Sequence, residues 1–218
     1  MNRREFSIQT LGALGLGAGV GLPGLAMAQG GPIEGTNYVK LNQYAPVTAP
    51  AGKVEVVEFF WYGCPHCFHF EPALSAWVSR LPADVVFRRI PVVFRENPFA
   101  IHQKLYFAVE TLGLGATLHA KIFHAMHEQG QRLDKPELIA DFVAKQGVDA
   151  PRFMATMESF GVQAKCKQAR ALTDAYKIDG VPTLGIGGRF TTSVSLNATP
   201  EKTLATADFL INLVRKSR

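Results

Sequence analysis

Apolar residues run almost unbroken through VEVVEFFWY (54–62), interrupted only by Glu55 and Glu58. β-Branched and aromatic side chains in so short a run predict a strand, and the near-continuous apolarity predicts cover on both of its faces. Behind it the period lengthens. Phe68, Ala73, Leu74, Trp77 and Val78 recur at helical spacing, which predicts a helix over 64–81 with a kink at Pro72. VVFRRIPVVF (85–94) returns to strand composition, so the first third reads as a βαβ unit. Ahead of it, the alternating run YVKLN (38–42) predicts a short edge strand, followed by a Pro/Ala/Gly linker over 46–52.

From about Pro98 to Tyr176 the apolar residues keep a helical period, with Gly or Pro breaks that divide the stretch into four or five short amphipathic helices. Strand patterns reappear at TLGIG (183–187) and RFTTS (189–193), joined by Gly187 and Gly188 at hairpin spacing. A final helix is predicted over 200–216, with Thr199 as N-cap and Pro200 in the first turn. The order is βαβ, helices, ββα. It predicts an α/β domain of segments 29–97 and 170–218 into which a helical block, 98–169, is inserted.

At 218 residues, 47% of them hydrophobic, the chain is long enough for one well-buried core. Its formal charge is +5, but the basic residues are scattered and no basic run is interleaved with aromatics, so nucleic acid is not expected as a partner. The first 28 residues change the picture most. Arg3 and Arg4, an uncharged Leu/Gly/Ala stretch and Ala26-Met27-Ala28 have the pattern of a cleaved export signal. The paired arginines followed by Phe6 suit a twin-arginine route, and an ordinary Sec signal reads equally well. An uncleaved anchor fits less well, because glycines and Pro23 break the span. Export would place the cysteines in an oxidising compartment and leave a mature chain of 21 basic and 17 acidic residues.

Cys64 and Cys67 lie where the predicted strand gives way to the predicted helix, with Pro65 and His66 between them. A sulfur at a helix N-terminus faces unpaired backbone N–H groups, which favour the thiolate; the helix dipole contributes up to about 2 kcal/mol. His66 offers an imidazolium or ring N–H to carry much of any larger shift, and a stabilised thiolate makes the corresponding disulfide a better oxidant. Three other readings compete. A structural bridge across two residues would close almost no loop. Zinc would need four ligands, and the third cysteine, Cys166, is about a hundred residues away with only His66 and His69 near the pair. An inert buried pair fits poorly with export and with the strand–helix junction. Cys166 shares a helical stripe with Val162, Ala169, Thr173 and Tyr176 and is expected to be a buried free thiol. His102, His119, His124 and His127 are expected as surface or core residues, not metal ligands.

Glu58-Phe59-Phe60 followed by Cys64-Pro65-His66-Cys67, a Phe/His/Phe/Glu continuation and the later Gly180-Val181-Pro182-Thr183 resembles the DsbA family of the thioredoxin superfamily. The resemblance spans essentially the whole mature chain and implies a thioredoxin fold with an inserted all-helical subdomain. It implies a periplasmic thiol:disulfide oxidoreductase that puts disulfides into unfolded or reduced secreted proteins and is reoxidised by a membrane partner resembling DsbB. The enzyme would be a monomer with no cofactor beyond a redox-active Cys64–Cys67 disulfide. By the same resemblance Cys64 is the exposed nucleophile and Cys67 the buried resolving thiol; Pro182 is cis, with the Val181 backbone pairing with substrate. Glu58 is the buried acid exchanging protons with Cys67, its alternative being a carboxylate that faces water or pairs with Arg89. Glu71 is expected to adjust surface charge only. The rival readings are an isomerase or reductase of the superfamily, and a chaperone module whose thiols are zinc-bound or incidental. A DsbC-like isomerase would need an N-terminal dimerisation domain, for which the residues between Gln29 and Tyr38 are too few.

Overall fold

The computed structural model describes residues 30–217, and the segment read as an export signal lies outside the described residues. Five strands form one sheet in the order β1-β5-β4-β2-β3: β1 (Val39–Lys40), β2 (Val54–Phe60), β3 (Val85–Pro91), β4 (Thr183–Ile186) and β5 (Phe190–Ser193). β2 and β3 run parallel with Glu58 opposite Arg89, while β4 and β5 run antiparallel to their neighbours. Every residue of β2 is buried, as its apolarity demands of a central strand covered on both faces.

One face of the sheet is covered by α1 (Pro65–Val78) and the C-terminal α8 (Pro200–Lys216). Phe70, Leu74 and Trp77 of α1 meet Leu204, Leu210 and Ile211 of α8 over Val54, Val56, Leu184 and Ile186. Each such side chain contributes about 1.5–3 kcal/mol when fully buried. Between β3 and β4 run five helices: α2 (Phe99–Thr111), α3 (Gly115–His127), α4 (Pro136–Lys145), α5 (Ala150–Met157) and α6 (Phe160–Ala175). α2 and α6 pack against β3, and α3 packs on α1. A second core, including Ile122, Phe123, Phe142, Val143 and Phe153, joins the helical block to Phe59, Phe60 and Tyr62.

Local signals account for several boundaries. Thr199 Oγ1 accepts from Lys202 N, Asp149 from Arg152 N and Ser159 from Val162 N, each capping a helix. Gly187 and Gly188 both have positive φ, as a two-residue hairpin turn requires, and a Cβ on Gly188 would strike the Ala45 carbonyl. The expected strands are shorter than their apolar runs: the run 54–62 ends as a strand at Phe60, and the edge strand keeps two residues. α1 continues through the exposed Pro72, and the one-turn α7 (Val194–Asn197) was not foreseen.

Candidate active site

β2 delivers the chain to the redox turn and then stops. Trp61 accepts at its carbonyl from Cys64 N (3.0 Å), closing a turn whose third residue must be glycine, because a Cβ on Gly63 would collide with the Trp61 indole folded across it. Cys64 is the N-cap of α1, in extended conformation and without a capping side-chain bond, and Pro65 occupies the first turn. The proline needs no N–H partner there, and the remaining free N–H groups surround the sulfur.

The sequence reading made Cys64 exposed; in the structure it is buried at 7% exposure, and Cys67 is completely buried. The reason is the loop before β4. Val181–Pro182 is a cis peptide with Pro182 buried, and the Cys64 thiol donates to the Val181 carbonyl at 3.6 Å. Both cysteines are free thiols here, while Pro65 and His66 are exposed. The hydrogen bond from the Cys67 thiol is the main influence that lowers Cys64, to about 6, against the opposing effect of burial. The backbone N–H groups of Cys67 and His66 add to it, and the His66 ring charge contributes least, so the large share expected of that ring falls to its neighbour. Burial first, then the partner sulfur and the charge of Glu58, hold Cys67 well above the usual thiol range. One sulfur is therefore a ready thiolate beside a thiol that keeps its proton.

Beneath the pair lies a charged cluster. Glu58 is fully buried; its Oε2 accepts from Arg89 Nε (2.9 Å), and its Oε1 has no hydrogen-bond partner among the described residues. Arg89 turns its other arm to Glu71 Oε1 (2.7 Å), which also accepts from Ser75 Oγ (2.5 Å). Glu71 is thus a buried ion-pair partner and not a surface charge, because α1 turns it inward with Cys67, Phe70 and Leu74. Burial, reinforced by the charge of Glu71 and only partly offset by Arg89, raises Glu58 to about 8. Burial works against the Glu71 carboxylate too, but the adjacent His119 and Arg89 outweigh it and keep that carboxyl below its ordinary value.

The helical block also grips the residues just before Cys64, which the sequence reading did not foresee. Trp61 Nε1 donates to His102 Nδ1 (2.9 Å), the Tyr62 hydroxyl meets His119 Nδ1 (2.9 Å), and His127 Nε2 donates to the Tyr62 carbonyl (2.7 Å) while its ring stacks on Phe68. Four histidines spaced through an apolar helical block were the available signal; which residues they would meet depends on how α2 and α3 dock. Cys166 is half-buried on α6, a little more open than expected, and burial raises its thiol to about 11. No group of three or more His, Cys, Asp or Glu is gathered as a metal site among the described residues.

Comparison with known proteins places this geometry. The model of the DSBA-like thioredoxin domain matches residues 87–207. The thiol:disulfide interchange protein DsbA of Burkholderia cepacia is 42% identical over 94% of this chain and 95% of its own. That of Azotobacter vinelandii is 41% identical over 84% of this chain and 85% of its own. The crystal structure of Pseudomonas aeruginosa DsbA superposes with a TM-score of 0.80 at 40% identity, covering 84% of this chain and 94% of that one.

Proposed function

Because the chain belongs to the family of DsbA-like, thioredoxin-fold thiol:disulfide oxidoreductases, we propose that Cys64 and Cys67 are its working pair and that it oxidises reduced secreted proteins in the periplasm. In the oxidised protein a substrate thiolate attacks Cys64 Sγ and breaks the Cys64–Cys67 bond; Cys67 leaves and takes up a proton. A second substrate thiolate then attacks the substrate sulfur of the mixed disulfide. Cys64 departs as a stabilised thiolate, and the substrate has lost two electrons to the pair.

Val181 presents its backbone to an extended substrate segment, with Pro182 shaping the loop, and Pro65 and His66 set the turn. Glu58 exchanges a proton with Cys67: its Oε1 is unpartnered and its charge acts on that sulfur. The Cys64–Cys67 disulfide itself accepts the two electrons, so no dissociable cofactor takes part, and one chain contains the whole site. A membrane partner resembling DsbB reverses the exchange to restore the disulfide, and residues 1–28 export the chain by the Tat or Sec route. None of the helices among the described residues is long and apolar enough to cross a membrane.

The observation that carries this reading is the asymmetry of the two sulfurs, one at the helix end against Val181 and the other completely buried. Given a substrate that carries a disulfide, Cys67→Ala should accumulate mixed disulfides, because Cys64 displaces one substrate sulfur and no second thiol of the protein can release the other, and Cys64→Ala should accumulate none. Equal trapping by both variants would refute the assignment of roles.

A further inference from the structure

A recess of about 370 Å³ adjoins the redox turn and takes no part in the steps above. It shares Trp61 and Gly63 with the turn, and none of its lining comes from Val181 or Pro182, so it is a surface separate from the loop whose carbonyl faces Cys64. Its floor is rigid. The Trp61 indole is stacked on Phe99 (ring centroids 4.0 Å apart, planes 18° apart) and fixed by its bond to His102. Two arginines from separate loops line it as well. Arg95 lies with its guanidinium 5.6 Å from the centre of the Phe99 ring and makes no ion pair among the described residues. Arg132, its side chain 80% exposed, is held at Nε by Asp134 (2.8 Å). Asp134 offsets one of the two charges, which leaves an excess of positive charge beside an apolar floor.

We propose that this recess receives an acidic side chain of the substrate polypeptide, from a part of the substrate other than the stretch that runs along Val181. The inference rests on Cys64 being the sulfur attacked by substrate, and it adds no chemical step. A guanidinium presents paired donors to a carboxylate, and Arg95 is already positioned over an aromatic ring, so little side-chain freedom is lost on binding. An extended chain advances about 3.3 Å per residue, so an Asp or Glu two to four positions from the reacting cysteine lies about 7–13 Å along it, clear of the turn that holds Cys64. The apolar floor suits the methylenes of a glutamate as well as its charge.

The test uses the oxidised protein and single-cysteine peptides that carry Glu, Ala or Lys at three consecutive positions on one side of the cysteine, with 2-mercaptoethanol as a neutral small thiol. The rate of mixed-disulfide formation is measured. We expect the Glu peptide to react roughly fivefold faster than the Ala peptide, the worth of about 1 kcal/mol, with the Lys peptide slowest and the preference confined to one side of the cysteine. Arg95→Glu and Arg132→Glu should abolish or reverse the order and leave the 2-mercaptoethanol rate unchanged. Lys202→Glu, an equal charge change on the exposed side of α8, should keep the order. Equal rates for the three peptides, or a preference that survives both arginine changes, would overturn the proposal while normal reaction with 2-mercaptoethanol leaves the redox reading standing. Failure to react with 2-mercaptoethanol as well would remove both.

Discussion

Two glutamates three residues apart on β2 meet opposite fates. Glu55 and Glu58 are both buried, and their partners are consecutive arginines on β3. Their odd separation sends them to opposite faces of the sheet. Glu55 is fully satisfied: Arg88 holds both its oxygens (2.8 and 3.2 Å), and Thr48 adds a backbone N–H (3.2 Å) and a hydroxyl (2.6 Å). Glu58 shares Arg89 with Glu71 and keeps one oxygen unpartnered among the described residues. The first site has one cation for one acid, and the second has one cation for two. A surplus buried carboxylate is costly to ionise, so the second site is built to hold a proton, and it lies on the face that carries the thiols.

The largest effect should come from Glu55→Gln. Breaking a buried pair by removing one partner costs about 3–5 kcal/mol, and Arg88 keeps 29% of its side chain exposed, so a loss near the lower end, about 3 kcal/mol, is expected in denaturant unfolding. At this chain length that corresponds to a Tm roughly 6–12 °C lower. Peptide oxidation by the folded fraction should be normal. A variant within about 1 kcal/mol of wild type would erase the distinction between the two acids.

Next comes the redox state. Cys64 is lowered to about 6, and a depressed thiol stabilises the fold through its thiolate, fully above the unfolded value of about 8.5 and not at all once pH has fallen through about 6. The oxidised protein has no thiolate. The reduced protein should therefore withstand more denaturant than the oxidised one near pH 8, with the advantage fading below pH 6. Cys67, raised by burial, works the other way, since its contribution is lost as pH climbs beyond the unfolded value. Denaturation midpoints of the two forms across pH decide it; an oxidised form that is the more stable at pH 8 contradicts the thiolate assignment.

Glu58→Gln sharpens the comparison. The folded value of Glu58 is raised to about 8, so what it contributes to stability is complete below its unfolded value of about 4.3 and is lost as pH rises through 8. Glutamine imitates the protonated acid. The variant should match wild type at low pH and become the more stable of the two as pH increases, while resolution of mixed disulfides by Cys67 slows roughly tenfold or more at neutral pH. Destabilisation at every pH, together with normal resolution, would put Glu58 in the same class as Glu55.

The smallest effect is expected at His66. Because its ring charge is the least of the influences on Cys64, His66→Leu should raise the Cys64 thiol less than Cys67→Ala does, as read from ultraviolet thiolate absorbance. A larger rise for His66→Leu would return to the ring the role that the structure assigns to the Cys67 thiol.

Features encoded by near neighbours were readable from the sequence alone. The apolar run 54–62, the Cys-Pro-His-Cys step at a strand–helix junction, the Thr199–Pro200 cap and the Gly187–Gly188 turn each depend on residues within a few positions of one another, where side-chain period and backbone freedom act directly. The α/β frame with its inserted helices follows from such periods, and so do both candidate sulfurs. Arg89 was visible as a possible partner for Glu58, but its sharing with Glu71 was not, since that requires β3 in parallel register with β2 and α1 laid across both. The same holds for Cys64 lying buried under Val181, 117 residues away, and for the histidines of α2 and α3 that hold Trp61 and Tyr62. Burial and pairing of charge belong to surfaces that meet only when distant segments pack, and no local pattern in the chain records which surfaces those are. The sequence by itself determined which sulfurs could react and that the one at the helix start favours the thiolate; the tertiary structure decided that Cys64 lies buried against Val181 and that Glu58 must share its one arginine with Glu71, because both depend on surfaces brought together from distant segments.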